Sequence, residues 1–293
     1  MYEKILAPLD GSDLCELVLP YVEELGARLS SEIILLHVCP PKLGAFSHKH
    51  ETYIEHMAQL VKEHLKGEGK VEPVLLDGEP NEEIVGYAKR GDISLIAMMT
   101  HGRSGVKRWL LGSTIDKVIR ETDRPLLIIR AKAAPAVREE GILNRVLVPL
   151  DGSKAAEATL PLVEELMREV TAKEAEATLL MVIPPTHYVP ASPEIAELPY
   201  TEEQIGQLET EAKAYLEKAG SGLKSKGINL RFEVAVGNAA EEIIEFANKV
   251  NANLTAMSTH GYSDSTSPTL GSVANRVLHH GSTPLLLVKP AEA

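Results

Sequence analysis

Two short motifs, each present twice, hold the side chains of this sequence that could do chemistry. Asp10 and Ser12 stand in Pro8-Leu9-Asp10-Gly11-Ser12, and Asp151 and Ser153 stand in Pro149-Leu150-Asp151-Gly152-Ser153. Thr100-His101-Gly102 is followed, after nine intervening residues, by Gly112-Ser113, and Thr259-His260-Gly261 is followed at the same spacing by Gly271-Ser272. Glycines admit a ligand close to the backbone, and a serine hydroxyl beside the open amides of a helix N-terminus suits an anion, phosphate above all. The plainer alternative assigns Gly102 and Gly112 to turns and Ser113 to a helix cap, as an isolated Gly-Ser would suggest. Recurrence of the whole spacing in both halves moves the balance toward a site. Asp10 and Asp151 could be general bases, but N-capping the following helix is an equal or better use for them.

Other chemistry finds less support. There is no GxxxxGK[ST] sequence and no GxGxxG after a first strand, which argues against a P-loop NTPase and a dehydrogenase. No carboxylate stands beside His101 or His260, so a loop role is expected for both, and no residue is assigned a catalytic one. His48, His50, His56 and His64 fall on a polar stretch and an expected exposed helix face, and no metal is assigned to them. His279 and His280 fit the last turn of a helix, where a cation interacts well with the dipole. Cys15 and Cys39 are the only cysteines and form no CxxC, which argues against a disulfide framework or a thiolate zinc site. No cluster calls for Mg²⁺, so a slow ATPase ranks last among the readings.

A formal charge of −12 disfavours nucleic acid and anionic lipid as partners. No apolar run approaches the roughly 18 residues of a membrane span. Met1 and Tyr2 lead directly into Ile5-Leu6-Ala7, without a signal peptide's basic and apolar regions, so a cytoplasmic location is expected.

The elements that must position these motifs follow from an internal repeat. Val146-Leu-Val-Pro-Leu-Asp-Gly-Ser153 matches Ile5-Leu-Ala-Pro-Leu-Asp-Gly-Ser12 at an offset of 141, and Pro184-Pro185 answers Pro40-Pro41 at 144. Gly237, Gly261, Gly271, Ser272 and Pro284 answer Gly78, Gly102, Gly112, Ser113 and Pro125 at 159. The growth in offset marks an insertion in the second copy, with Thr186 to Tyr200 read as an extra loop. In the first copy the apolar runs Lys4–Leu9, Ile33–Val38, Val71–Leu76, Ile93–Met99 and Leu126–Ile129 predict strands. Helical spacing from Leu14 to Leu29, near Glu51 to Lys66, from Glu82 to Lys89 and from Thr114 to Thr122 predicts helices between them. Strands alternating with helices imply two α/β sandwiches, each with a five-stranded parallel sheet. The domains are expected at 1–133 and 144–293. Each apolar last strand would otherwise be an exposed edge, so the halves are expected to pack about a pseudo-two-fold axis.

Pro-x-Asp-Gly-Ser after the first strand, with His-Gly-x9-Gly-Ser after the fourth, resembles the universal stress protein family over nearly the whole chain, twice. The resemblance implies the adenine nucleotide alpha hydrolase-like fold, strand order 3-2-1-4-5, and pairing of domains through their last strands, within the chain or as a homodimer. It also implies a site for an adenine nucleotide, ATP or AMP. Pro8, Asp10, Val38, Met99, Gly102, Arg103, Gly112, Ser113 and Thr114 would form it in the first copy. Pro149, Asp151, Val182, Ser258, Gly261, Gly271, Ser272 and Val273 would form it in the second. Met99 and Ser258 stand where the family's motif has its first glycine, and a methionine there is expected to crowd the ribose. Arg103, Lys107 and Arg108 make the first loop basic, whereas the second has Asp264 and no basic residue between Gly261 and Gly271. The leading function is stress response or regulation through adenine nucleotide, without dedicated catalysis. The alternative is a protein-interaction scaffold whose sites have degenerated.

Overall fold

The computed structural model describes residues 3–40, 47–67, 69–100, 111–130, 141–168, 175–190, 195–261 and 270–290. By contacts the chain divides into two compact units, Met1–Leu143 with Ser282–Lys289, and Asn144–Gly281 with Pro290–Ala293. In the first unit, β1 (Lys4–Leu9), β2 (Glu32–Cys39), β3 (Val71–Asp77), β4 (Leu95–Met99) and β5 (Leu126–Ile129) alternate with helices. These are α1 (Asp13–Glu16), α2 (Leu19–Leu29), α3 (Ser47–His64), α4 (Pro80–Arg90) and α5 (Ser113–Glu121). The parallel sheet runs β3-β2-β1-β4-β5, the order that the resemblance implies. The strand Leu285–Val288 also belongs to this unit and runs antiparallel to β5. Ile5, Leu6, Ile33, Leu35, Leu36 and Ile96 are fully buried, because helices cover both faces of a parallel sheet.

The second unit repeats the plan with β6 (Arg145–Pro149), α6 (Lys154–Glu157), α7 (Leu160–Arg168) and β7 (Glu176–Ile183). After an inserted β8 (Thr186–Pro190) and β9 (Ile195–Pro199) come α8 (Glu202–Ala219), α9 (Ser221–Ser225) and β10 (Asn229–Val236). Then follow α10 (Ala239–Lys249), β11 (Leu254–Ser258) and α11 (Ser272–His280), with β12 (Leu285–Val288) last in the chain. The unit's parallel strands run β10-β7-β6-β11.

Two sequence expectations need correction. The single helix expected from Leu14 to Leu29 is two, because Pro20 has no amide to donate and fits only in a first turn, where α2 places it. The extra loop expected over Thr186 to Tyr200 forms an antiparallel hairpin, β8 with β9. Pro190 and Pro199 sit at the ends of that ladder, where a missing donor costs least.

Candidate functional site

Each unit has a cleft at the carboxyl ends of its strands. In both, an aspartate and a serine shape the first turn after the leading strand. Asp10 Oδ1 accepts from the Ser12 amide at 3.0 Å and from the Ser12 hydroxyl at 2.6 Å. Ser12 Oγ in turn accepts from the Cys15 amide at 3.3 Å and caps α1. Asp151 and Ser153 repeat the arrangement at 2.9 and 2.6 Å, with Ser153 capping α6. The capping expected of the aspartates therefore belongs to the serines, and each aspartate fixes its serine while facing the cleft. The turn needs positive φ between them, 81° at Gly11 and 85° at Gly152, which a glycine adopts without strain.

The second wall begins where the fourth strand of each repeat ends. The Gly112 amide donates to Thr100 O at 3.0 Å, and the Gly271 amide donates to Thr259 O at 2.9 Å. Gly112 and Gly271 are the N-caps of α5 and α11 and supply no side-chain hydrogen bond. Ser113 is thus the first residue of α5, not its cap. Among the described residues no side chain caps either helix start, and a helix start with uncapped amides suits an anion.

The first cleft, about 300 Å³ in volume, is lined by Pro8, Asp10, Val38, Met99, Gly112, Ser113 and Thr114. The other two residues expected there, Gly102 and Arg103, lie outside the described residues, as do His101, Lys107, Arg108 and Asp264. The second cleft, about 160 Å³, is lined by Pro149, Asp151, Val182 and Ser258, with Gly261, Gly271, Ser272 and Val273 opposite. Met99 ends β4 in the lining of the first cleft. At the matching position, Ser258 Oγ accepts from the His260 amide at 3.3 Å, which ties the serine into its own loop. His260 Nδ1 lies 2.9 Å from Thr259 Oγ1, a local contact in keeping with a loop role.

Each cleft is also lined by a helix that the two motifs do not point to. Pro80 and Ile84 of α4 line the first, and Ala239 and Ile243 of α10 line the second. Their placement at the start of the helix after Gly78 or Gly237, at the shared offset of 159, was the available signal. Cys15 also lines the first cleft, and burial followed by the nearby Asp10 charge pushes its thiol up to about 12. That thiol stays protonated near neutrality and is a poor nucleophile.

A second duplicated contact joins α3 to α1 and α8 to α6. The Tyr53 hydroxyl of α3 donates to Glu16 at 3.0 Å, and the Tyr215 hydroxyl of α8 donates to Glu157 at 3.0 Å. Burial first, and then the neighbouring carboxylate, raises both phenols above their ordinary value. A group with a raised folded-state pKa contributes stability below its unfolded value, about 10 for tyrosine, and loses it as the pH climbs further. The urea midpoint is therefore expected to hold steady up to about pH 9 and to fall beyond about pH 10, with a smaller fall in Tyr53→Phe/Tyr215→Phe.

A parallel α/β sheet with a cleft beyond its strand ends, built twice from one sequence unit, defines a tandem α/β protein. The sequence profile of the universal stress protein family matches residues 1–130 and 143–289, and the chain belongs to that family. It is 30% identical over 157 residues to universal stress protein MJ0577 of Methanocaldococcus jannaschii, covering 45% of this chain and 97% of that protein. It is 30% identical over 148 residues to universal stress protein YxiE of Bacillus subtilis, covering 44% of this chain and 100% of that one. Among solved structures, a universal stress protein from Archaeoglobus fulgidus superposes with a TM-score of 0.72 at 20% identity, with 99% of both chains covered. At that identity the likeness speaks for the fold.

Proposed function

We propose that this protein is a stress-response or regulatory module that binds an adenine nucleotide, ATP or AMP, in one or both clefts without dedicated catalysis. The observation that carries the reading is the convergence, in each cleft, of the aspartate turn with the Gly-Ser helix start. One offers a carboxylate and apolar strand ends to a base, and the other offers amides and a hydroxyl to phosphate oxygens. The domains 1–133 and 144–293, and a cytoplasmic setting, belong to the same reading. No helix among the described residues is long and apolar enough to cross a membrane. Pairing of the two repeats through their last strands, or of two chains as a homodimer, comes with the family likeness. A pseudo-two-fold crystal structure supports it, and scattering from two separated beads contradicts it.

A scaffold that works without nucleotide is favoured by one observation: Met99 and Ser258, each 4% exposed, fill the first-glycine position of both clefts. Mass spectrometry of gently purified protein separates the two readings. Co-purified or added adenine nucleotide, retained at one or two per chain and displaced by excess ATP, supports the binding module. Protein that stays bare with millimolar ATP present supports the scaffold.

A further inference from the structure

On β2 the side chains alternate between faces. Leu36, Val38 and Pro40 line the first cleft, which puts His37 and Cys39 on the opposite face of the sheet. There His37 Nε2 lies 2.6 Å from His50 Nδ1, in the first turn of α3, with the two rings stacked at 4.8 Å. His37, Cys39 and His50 each offer a ligand atom, and the three atoms lie within 4.8 Å of one another. His37 and Cys39 are 2% and 6% exposed, and His50 is half-buried.

The orientation of His37 is what distinguishes this group from three residues that merely meet. Its Nδ1 lies 2.7 Å from Leu9 O, and a carbonyl can only accept, so Nδ1 carries the proton and donates. Nε2 then carries the lone pair, which meets His50 Nδ1, with Cys39 Sγ within 4.8 Å. A backbone carbonyl that fixes the tautomer and points the other nitrogen inward is the usual support behind a metal-bound histidine. Two imidazoles and a thiol are a donor set for a borderline-soft divalent cation, and three protein ligands leave a fourth position for water.

We propose that His37 Nε2, Cys39 Sγ and His50 Nδ1 form a binding site for Zn²⁺ on the face of the sheet opposite the first cleft. Tetrahedral zinc, with bonds of about 2.0 Å to nitrogen and 2.3 Å to sulfur, sets its nitrogen ligands about 3.3 Å apart. Opening the histidine pair by less than about 1 Å, through rotation of the His50 side chain, gives that spacing. On binding, the proton on His50 Nδ1 shifts to Nε2 and the Cys39 thiol releases its proton to solvent. The lone pairs of His37 Nε2, His50 Nδ1 and Cys39 Sγ then form the three bonds to the ion, each in place of a water that it releases to solvent. Of the other histidines on α3, His48 and His56 are exposed and His64 is held by Glu23 at 2.9 Å, so none joins the site. In the second repeat, Met181 and Ile183 stand where the first has His37 and Cys39. The site is therefore expected once per chain, although the clefts occur twice.

Untagged full-length protein, stripped with chelator and titrated with Co²⁺ as a spectroscopic stand-in for Zn²⁺, tests this. One equivalent is expected to bind, with intense visible bands of tetrahedral cobalt and a thiolate-to-cobalt charge-transfer band, both removed by added Zn²⁺. Cys39→Ser is expected to abolish the charge-transfer band, and His50→Ala to weaken Zn²⁺ binding by more than about tenfold. His56→Ala is expected to change neither, and thermal unfolding in chelator checks that each variant folds. Absence of tetrahedral bands in the wild type, or bands that survive Cys39→Ser unchanged, would overturn the proposal. Neither readout depends on nucleotide, so this test can fail while the cleft reading stands.

Discussion

Gly271→Val is expected to weaken adenine nucleotide binding at the second cleft by at least about a hundredfold, a loss of about 2.7 kcal/mol. A Cβ on Gly271 would lie 3.3 Å from Thr259 O and 3.6 Å from the His260 Cα, so the chain already passes close to the neighbouring backbone. Both γ-methyls of valine extend beyond that point, and they crowd the amides on which phosphate would rest. The Gly271 amide must also keep its 2.9 Å bond to Thr259 O, which limits how far the backbone can retreat. Equilibrium dialysis with ATP on Gly112→Val and Gly271→Val, singly and together, assigns binding to each cleft. Undiminished binding in the double variant would place the nucleotide elsewhere. Gly261 is a companion site, because a Cβ there would run into Asp151 Oδ2 and displace the carboxylate that faces the cleft.

Leu35→Ala is expected to cost about 2–5 kcal/mol of stability, the range for truncating a buried leucine. Leu35 is fully buried in β2, and strand alternation puts it on the face with His37, away from the cleft. The cavity left by alanine would be walled by neighbouring strands and α3, which can close over it only in part. The urea midpoint should fall at unchanged slope, while nucleotide affinity under native conditions stays near that of the parent protein. Loss of affinity without loss of stability in Gly271→Val, and the reverse in Leu35→Ala, would separate the site from the frame that carries it.

Most of that frame is readable in the sequence because its signals are local or duplicated. The runs at Lys4–Leu9 and Leu126–Ile129 are strands with the expected bounds, since a strand covered on both faces is apolar at nearly every position. The cleft residues of the second repeat are legible because two motifs with fixed spacing end up at one sheet edge. What escapes depends on contacts between residues far apart in the chain, or on a choice between equal candidates. The Tyr53–Glu16 and Tyr215–Glu157 bonds span 37 and 58 residues, and the insertion hides their equivalence. Asp10 and Ser12 are both good caps, so composition alone could not say which caps α1 and which holds the cap. His50 reads as one of several polar helix residues until the fold sets it against His37, which an otherwise apolar strand conceals.

The central claim is that the strand-end clefts hold adenine nucleotide, and a calorimetric titration of the untagged full-length protein with ATP and with AMP tests it most directly. Saturable heat with one or two sites per chain, absent when GTP replaces ATP and lost in the Gly112→Val/Gly271→Val double variant, is the result expected. Titration to millimolar ATP and AMP without any heat of binding, in protein shown to be nucleotide-free, would contradict it.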